Sequence, residues 1–205
     1  MLIGLTGRAQ AGKDTVYERA AHVVAQSWTD HDLVAPIVER RSFADTLYRS
    51  AAAALCVTEE TLRIYKADPD VTIEVVHRDL GPLQILSTRQ YLQAYGTEAH
   101  RDIFGSDFWV EHANLHNHHD RIVFVTDVRF DNEAHAVRDA GGIIVEVVGP
   151  DNGLGTDHPS EAGVHRDLVT VTIDNTTRDD DYATLDGAVR FLLDVAGVVF
   201  PCASA

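Results

Sequence analysis

Gly7-Arg8-Ala9-Gln10-Ala11-Gly12-Lys13-Asp14-Thr15 follows directly on the apolar run Leu2-Ile3-Gly4-Leu5-Thr6. A buried strand, a glycine-containing turn and a helix start come in that order, which is the layout of a phosphate-binding loop. Glycine at 7 and 12 permits backbone angles that a Cβ forbids, so successive amides can converge on one anion. The helix behind Gly12 adds its partial positive charge, and Lys13 can reach the outer phosphates of a nucleotide. The same pattern also fits a β-to-α turn that binds nothing. Lysine usage favours the first reading: the chain has two lysines, Lys13 and Lys66, against fifteen arginines. A chain nearly without lysine keeps one where a compact ammonium suits phosphate best.

The loop departs from the usual ending at one position. Asp14 stands where a hydroxyl normally follows the lysine, and Thr15 comes one residue later. A carboxylate cannot cradle phosphate, but it can hold Mg²⁺ or its water shell. The variant points toward a nucleotide kinase and away from a switch GTPase, in which the hydroxyl after lysine binds the metal directly.

Composition narrows the field further. The 205 residues suffice for one domain with a full core, and the 45% hydrophobic content is that of a soluble globular protein. A net charge of −15 argues against nucleic acid and anionic membranes as partners, since both require a basic surface. Positive charge must then be concentrated where anions bind. Two cysteines make no disulfide framework, Met1 leads straight into a core strand, and no apolar run reaches membrane-spanning length. A cytoplasmic protein is expected.

Further strands are expected at 38–43, 122–126, 143–148 and 169–173, the β-branched run Ile122 to Thr126 reading as buried on both faces. Helices are expected at about 13–27, 44–55, 59–66, 84–104, 106–117, 131–140 and 181–196. Strands alternating with helices imply a parallel α/β sheet with helices on both faces. The stretches 67–83 and 149–161 read as long functional loops, and the tail from Phe200 as frayed.

A second chemical site falls where the 122–126 strand ends in Asp127, followed by Val128 and Arg129. Ligands of doubly wound sheets bind at the carboxyl ends of the strands, so Asp127 is a candidate to orient Mg²⁺. The alternative is a helix cap before Asp131, with Glu133 serving the helix dipole. Arg89, Gln93 and Arg101 share one helical stretch and can grip a phosphate and a base edge, or form a solvated face. Asp45 reads as an N-cap or as an acceptor contact. The run His112, His116, His118, His119 reads as a polar connector and Trp109 as core.

These residues together resemble the bacteriophage-type deoxynucleoside monophosphate kinases. The resemblance rests on the Gly7 to Thr15 loop ending Lys13-Asp14-Thr15, Phe43-Ala44-Asp45, and Arg89-x-x-Leu92-Gln93-x-x-Gly96-Thr97-Glu98 with Arg101. It continues through Phe108-Trp109, Asp127-Val128-Arg129-Phe130-x-Asn132-Glu133, Gly141-Gly142 and His158-x-Ser160-Glu161, covering nearly the whole chain. It implies a three-layer P-loop kinase fold whose five-stranded parallel sheet has the order 2-3-1-4-5. The chain would form one domain, with a helical acceptor-binding insertion at about 45–118 and a lid-like segment at about 149–168. The implied reaction moves the γ-phosphoryl of ATP to a deoxynucleoside monophosphate (dNMP), with Mg²⁺. Donor phosphates would meet Gly7, Ala9, Ala11, Gly12, Lys13, Asp14 and Thr15, and Asp14, Thr15 and Asp127 would organise the metal. Lys13, Asp127 and Arg129 would be catalytic, while Asp45, Arg89, Gln93, Arg101 and Arg166 would bind the acceptor. Arg166 is the arginine near the end of the lid, where related kinases often bring several. Expected partners are the dNMP, no nucleic acid and no membrane, with a homodimer entertained and, for a phage protein, a bacterial host's cytoplasm. The opening Ile3-Gly4-Leu5-Thr6-Gly7 also resembles dephospho-coenzyme A kinases, the second kinase reading. A switch-like NTP-binding protein is the reading from another class, disfavoured because no Asn-Lys-x-Asp segment is present.

Overall fold

The computed structural model describes residues 1–28, 34–75, 84–118, 120–150, 163–177 and 182–201. Their contacts divide them into two compact units, Met1–Ser42 with Asn114–Ala205, and Phe43–Ala113.

The first unit is built on a parallel sheet of β1 (Leu2–Thr6), β2 (Ile37–Arg41), β5 (Arg121–Val125), β6 (Ile143–Val148) and β7 (Val171–Asp174). The strands lie in the order β2-β5-β1-β6-β7, which is 2-3-1-4-5 when these five are counted along the chain. Register is set by pairs such as Ile3↔Phe124 and Ile3↔Ile143. Side chains alternate across the sheet, so Ile3, Leu5, Phe124, Val145 and Val147 share one face. There they pack against α1 (Lys13–Trp28) through Val16, Ala20, Val23 and Val24, and against α8 (Ala183–Val195) through Val189, Leu192 and Leu193. Each such branched side chain, fully buried, contributes about 1.5–3 kcal/mol relative to exposure. The opposite face is covered by α7 (Asp131–Asp139): Ile144, Val128 and Val137 close in over Gly4, leaving no room there for a Cβ.

Arg19 of α1 clips α8 through two hydrogen bonds to Asp186, from Nε at 2.6 Å and Nη2 at 2.5 Å. These bonds hold the Asp186 carboxyl below the ordinary aspartate value. A depressed folded-state pKa stabilises the fold above the unfolded value, and that contribution is lost as pH falls through the folded one. Asp186→Asn is therefore expected to lower the melting temperature at neutral pH and to flatten its decline below about pH 4. Thermal melts of both proteins across pH 3 to 7 check this; parallel curves would contradict it.

The second unit contains α2 (Phe43–Ala54), α3 (Glu59–Ala67), the antiparallel hairpin β3 (Thr72–Val75) and β4 (Gln84–Ser87), and α4 (Thr88–Gly96). A π-helical turn (Thr97–Arg101), α5 (Asp102–Phe104) and α6 (Phe108–Glu111) complete it. Tyr48, Ala51, Ala52, Leu62, Ile73, Tyr91 and Leu92 form its core. Thr58 caps α3 by accepting the Thr61 amide at 3.1 Å.

Four sequence expectations need correction here. The stretch 67–83, read as loop, contains β3, because Thr72 to Val75 pairs with β4 in a register that sequence periodicity does not display. The helix expected from 84 begins at Thr88 instead. Ser87 and Gln90 form a reciprocal capping box, with Gln90 N–H to Ser87 Oγ at 3.3 Å and Ser87 N–H to Gln90 Oε1 at 2.9 Å, which fixes the start. The helix expected over 106–117 is a single turn, Phe108–Glu111. Phe200, expected in a frayed tail, packs on Trp28 with ring centroids 5.4 Å apart. Most of the segment 149–161 lies outside the described residues.

Candidate active site

The turn after β1 is held by close packing from below. Gly7 has φ +137° and Gly12 φ +97°, both in the region that excludes side chains. Between them Gln10 also takes a positive φ, 62°. A Cβ on Gly7 would overlap the carbonyl oxygen of Val147, and one on Gly12 would overlap the amide nitrogen of Asn175. That buried amide donates to the Ala11 carbonyl at 2.9 Å. The loop thus sits on the carboxyl ends of β6 and β7, and its backbone has one shape to adopt.

Lys13 opens α1 and curls back over the loop. Its Nζ donates to the Gly7 carbonyl at 2.7 Å and the Arg8 carbonyl at 2.9 Å. The ammonium therefore stands at the mouth of the loop. Ala11 is buried, Ala9 exposed and Thr15 half-buried. Asp14 is exposed and accepts from Nε of Arg40, on β2, at 3.1 Å. The pair is too open to add much stability.

At the end of β5 the carboxylate of Asp127 accepts the Ser42 hydroxyl at 2.6 Å, which ties the ends of β5 and β2 together. The cap alternative fails for Asp127, since α7 begins three residues beyond Val128 with Phe130 at its N-cap. The capping work falls to Glu133. Its buried Oε2 accepts from the amides of Arg129 at 2.8 Å and Phe130 at 3.2 Å, and so fixes the turn that carries the exposed Arg129. Asp131 accepts the His165 amide at 2.7 Å, anchoring the turn before Arg166, which is itself exposed.

In the second unit, Asp45 lies inside the first turn of α2 and is no N-cap: α2 already begins at Phe43. Its carboxylate pairs with Arg63 at 2.9 Å, whose guanidinium lies 4.1 Å over the Tyr48 ring. Arg89 and Gln93 are exposed on successive turns of α4. Arg101 is twelve positions beyond Arg89 on a continuing helical path, about 18 Å of axial rise, so the helix does not bring the two arginines together. Trp109 is core, its Nε1 donating to the Gly96 carbonyl at 3.0 Å. His112 and His118 each bond through Nδ1 to a nearby carbonyl, of Phe108 and Leu115, and no group of metal-ligating side chains occurs among the described residues.

Sequence reasoning missed Ser42, Asn175 and Glu133 as supports of the site, and Arg40 as the partner of Asp14. A signal existed for Asn175, a polar residue directly after a strand at the carboxyl edge of the sheet. None existed for Ser42, whose partner is 85 positions away.

A parallel five-stranded sheet in this order, with a glycine loop between β1 and α1, defines an α/β protein of the P-loop-like class. A family model described as deoxynucleotide monophosphate kinase matches residues 50–184. The chain is 26% identical to a protein assigned as a deoxynucleotide monophosphate kinase in Acanthamoeba polyphaga mimivirus, across 92% of this chain and 96% of the relative. It is also 26% identical to the deoxynucleoside-5'-monophosphate kinase of Escherichia phage T5, across 83% of this chain and 87% of the relative. The chain belongs to the deoxynucleotide monophosphate kinase family and is a nucleoside monophosphate kinase. Among the described residues no helix is long and apolar enough to cross a membrane.

Proposed function

We propose that the protein transfers the γ-phosphoryl of ATP to a dNMP, giving dNDP and ADP. The observation that carries this reading is the braced glycine loop with Lys13 at its mouth, in a chain of this family. Phosphoryl transfer between two ionised phosphates needs little covalent help, and catalysis comes from positioning and from neutralising charge on the moving group. The amides from Gly7 to Thr15 hold the donor phosphates, and Lys13 moves from its loop carbonyls to the β- and γ-oxygens. Arg129, on a turn fixed by Glu133, faces the transferring phosphoryl, with Arg166 in support. Arg89 takes the acceptor phosphate and Gln93 its base edge, while Asp45 is paired with Arg63 inside the same unit.

Asp14, Thr15 and Asp127 would hold Mg²⁺. The donor set fits: two carboxylates and a hydroxyl are the hard oxygen ligands this ion prefers, and the Ser42 hydroxyl bond orients Asp127. Bound there, the ion would neutralise charge on the β- and γ-phosphates. A cytoplasmic setting accords with this chemistry.

ADP formation that depends on added dNMP tests the reading. ATP hydrolysis indifferent to dNMP would overturn it in favour of an NTP-binding switch, and turnover with dephospho-coenzyme A alone would favour the second kinase reading. Asp127→Asn keeps the side-chain shape and loses the charge. It is expected to raise the Mg²⁺ concentration for half-maximal activity by about 10-fold, with little change in melting temperature. An unchanged Mg²⁺ dependence would return Asp127 to a structural role.

A further inference from the structure

Asn175, directly after β7, is 5% exposed, and a carboxamide this deeply buried calls for partners. Its backbone amide donates to the Val148 carbonyl at 2.7 Å, which seats it against the end of β6. From there Nδ2 donates to the carbonyl of Ala11, 164 positions earlier, at 2.9 Å. A carbonyl only accepts, so the side chain must present its NH₂ group here, and an ionised carboxylate cannot stand in for it. The Ala11 backbone is also packed from β6: a Cβ on Gly149 would overlap Ala11 Cα.

The consequence falls on the next amide. The Ala11–Gly12 peptide is planar and trans, so its C=O and its N–H point in opposite directions. With the carbonyl held on Asn175, the Gly12 N–H is turned away from β7. Gly12 is half-buried, and among the described residues its N–H meets no acceptor. Local sequence does not dictate this orientation. Gly12 sits at φ +97°, and glycine takes positive and negative φ about equally readily. Turning this one peptide over would carry Gly12 to negative φ and put the Ala11 carbonyl oxygen where the amide had been. An oxygen there repels an anion that an N–H attracts. A larger residue at 12 cannot remove the choice, because its Cβ would overlap Asn175 Nδ2. The Asn175 hydrogen bond makes it instead.

Resting on the reading of the glycine loop as the donor-phosphate site, we propose that Asn175 is a positioning residue for the phosphoryl donor. It selects the Ala11–Gly12 peptide orientation that presents the Gly12 amide to the phosphates. Asn175 itself touches no phosphate: its Nδ2 lies behind the loop, on the Ala11 carbonyl. Its effect is therefore confined to the donor. The acceptor side of the reaction, drawn from the second unit and the Arg129 turn, does not depend on it.

Two measurements on the full chain test this. Calorimetric titration with ADP compares wild type with Asn175→Leu, which keeps the size and loses the donor, and Asn175→Asp, which keeps the shape and sets an acceptor against the Ala11 carbonyl. Kd for ADP is expected to rise about 10-fold or more in both, while KM for dNMP holds. The second measurement needs no variant: in ¹⁵N-glycine-labelled wild type, the Gly12 amide proton is expected to move downfield on adding ADP, as an amide that gains a phosphate acceptor does. The same shift is expected to shrink or vanish in whichever variant folds. Wild-type ADP affinity in a folded variant would overturn the proposal and leave the phosphate-loop reading intact, as would a Gly12 amide in wild type that ignores bound ADP. Equal losses toward ADP and dNMP, in step with a lowered melting temperature, would reduce Asn175 to a structural brace and overturn its positioning role. Failure of wild type to bind ADP at all would overturn the phosphate-loop reading itself, and this proposal with it.

Discussion

Lys13→Ala is expected to lower kcat by about 10²-fold or more while leaving the fold nearly as stable as before. The ammonium bonds to two loop carbonyls, of Gly7 and Arg8, at the mouth of the loop. Partly exposed bonds of this kind contribute on the order of 1 kcal/mol each, and water can replace the donor. On the proposed reading the same charge faces phosphate oxygens in the reaction, where electrostatic stabilisation is worth several times more. Lys13→Arg keeps the charge but not the compact shape, and is expected to recover only part of the rate. Steady-state kinetics and a thermal melt on the same preparations decide the matter. A folded Lys13→Ala protein with near wild-type turnover would remove the phosphate-loop reading altogether.

Gly7→Ala is expected to be strongly damaging. Two costs add. The backbone at φ +137° disfavours any residue with a Cβ, at about 1–3 kcal/mol. The new methyl would also overlap the carbonyl oxygen of Val147, a backbone atom in a central region of the sheet that cannot swing aside as a side chain does. A loss of about 3 kcal/mol or more follows, which for a domain of this size is a fall of roughly 6–12 °C in melting temperature. Any relaxation must move the loop off β6, so kcat/KM is expected to fall more steeply than stability. A melting temperature within about 2 °C of wild type would show that the loop is not seated as described.

Why some of the protein was legible in its sequence follows from particular residues. Leu2 to Thr6, Ile122 to Val125 and Ile143 to Val147 are apolar, largely β-branched runs, as buried central strands must be, and they were readable as such. The glycine loop was readable because its chemistry is local: the two glycines, the lysine and the helix start lie within nine residues. The hairpin was not readable. Thr72 to Val75 is a short run in a polar stretch, and its strand character comes from pairing with Gln84 to Ser87. The start of α4 was misplaced for a related reason, since Ile85 and Leu86 suit a strand and a helix equally until the Ser87 and Gln90 side chains stop the helix.

Within the site the same division holds. Asp127 was picked out from its position at a strand end, yet whether it caps a helix or points elsewhere depends on Ser42, 85 residues earlier. Glu133 was read as a dipole partner, but burial turns its carboxylate into the clamp on the Arg129 turn. Arg89 was grouped with Arg101 because both lie on one helical stretch, whereas about 18 Å of helical rise keeps them apart.

The amino-acid sequence by itself determined which apolar runs become the central strands, the glycine loop, the lysine within it and the acidic residue at the end of β5. Each of these is written in a few consecutive residues whose sizes and allowed backbone angles leave little choice. Only the tertiary structure decided what braces that loop, what holds Asp127 and what fixes the turn of Arg129. Those contacts join residues far apart in the chain, and their strength depends on burial and on partners that no local pattern contains.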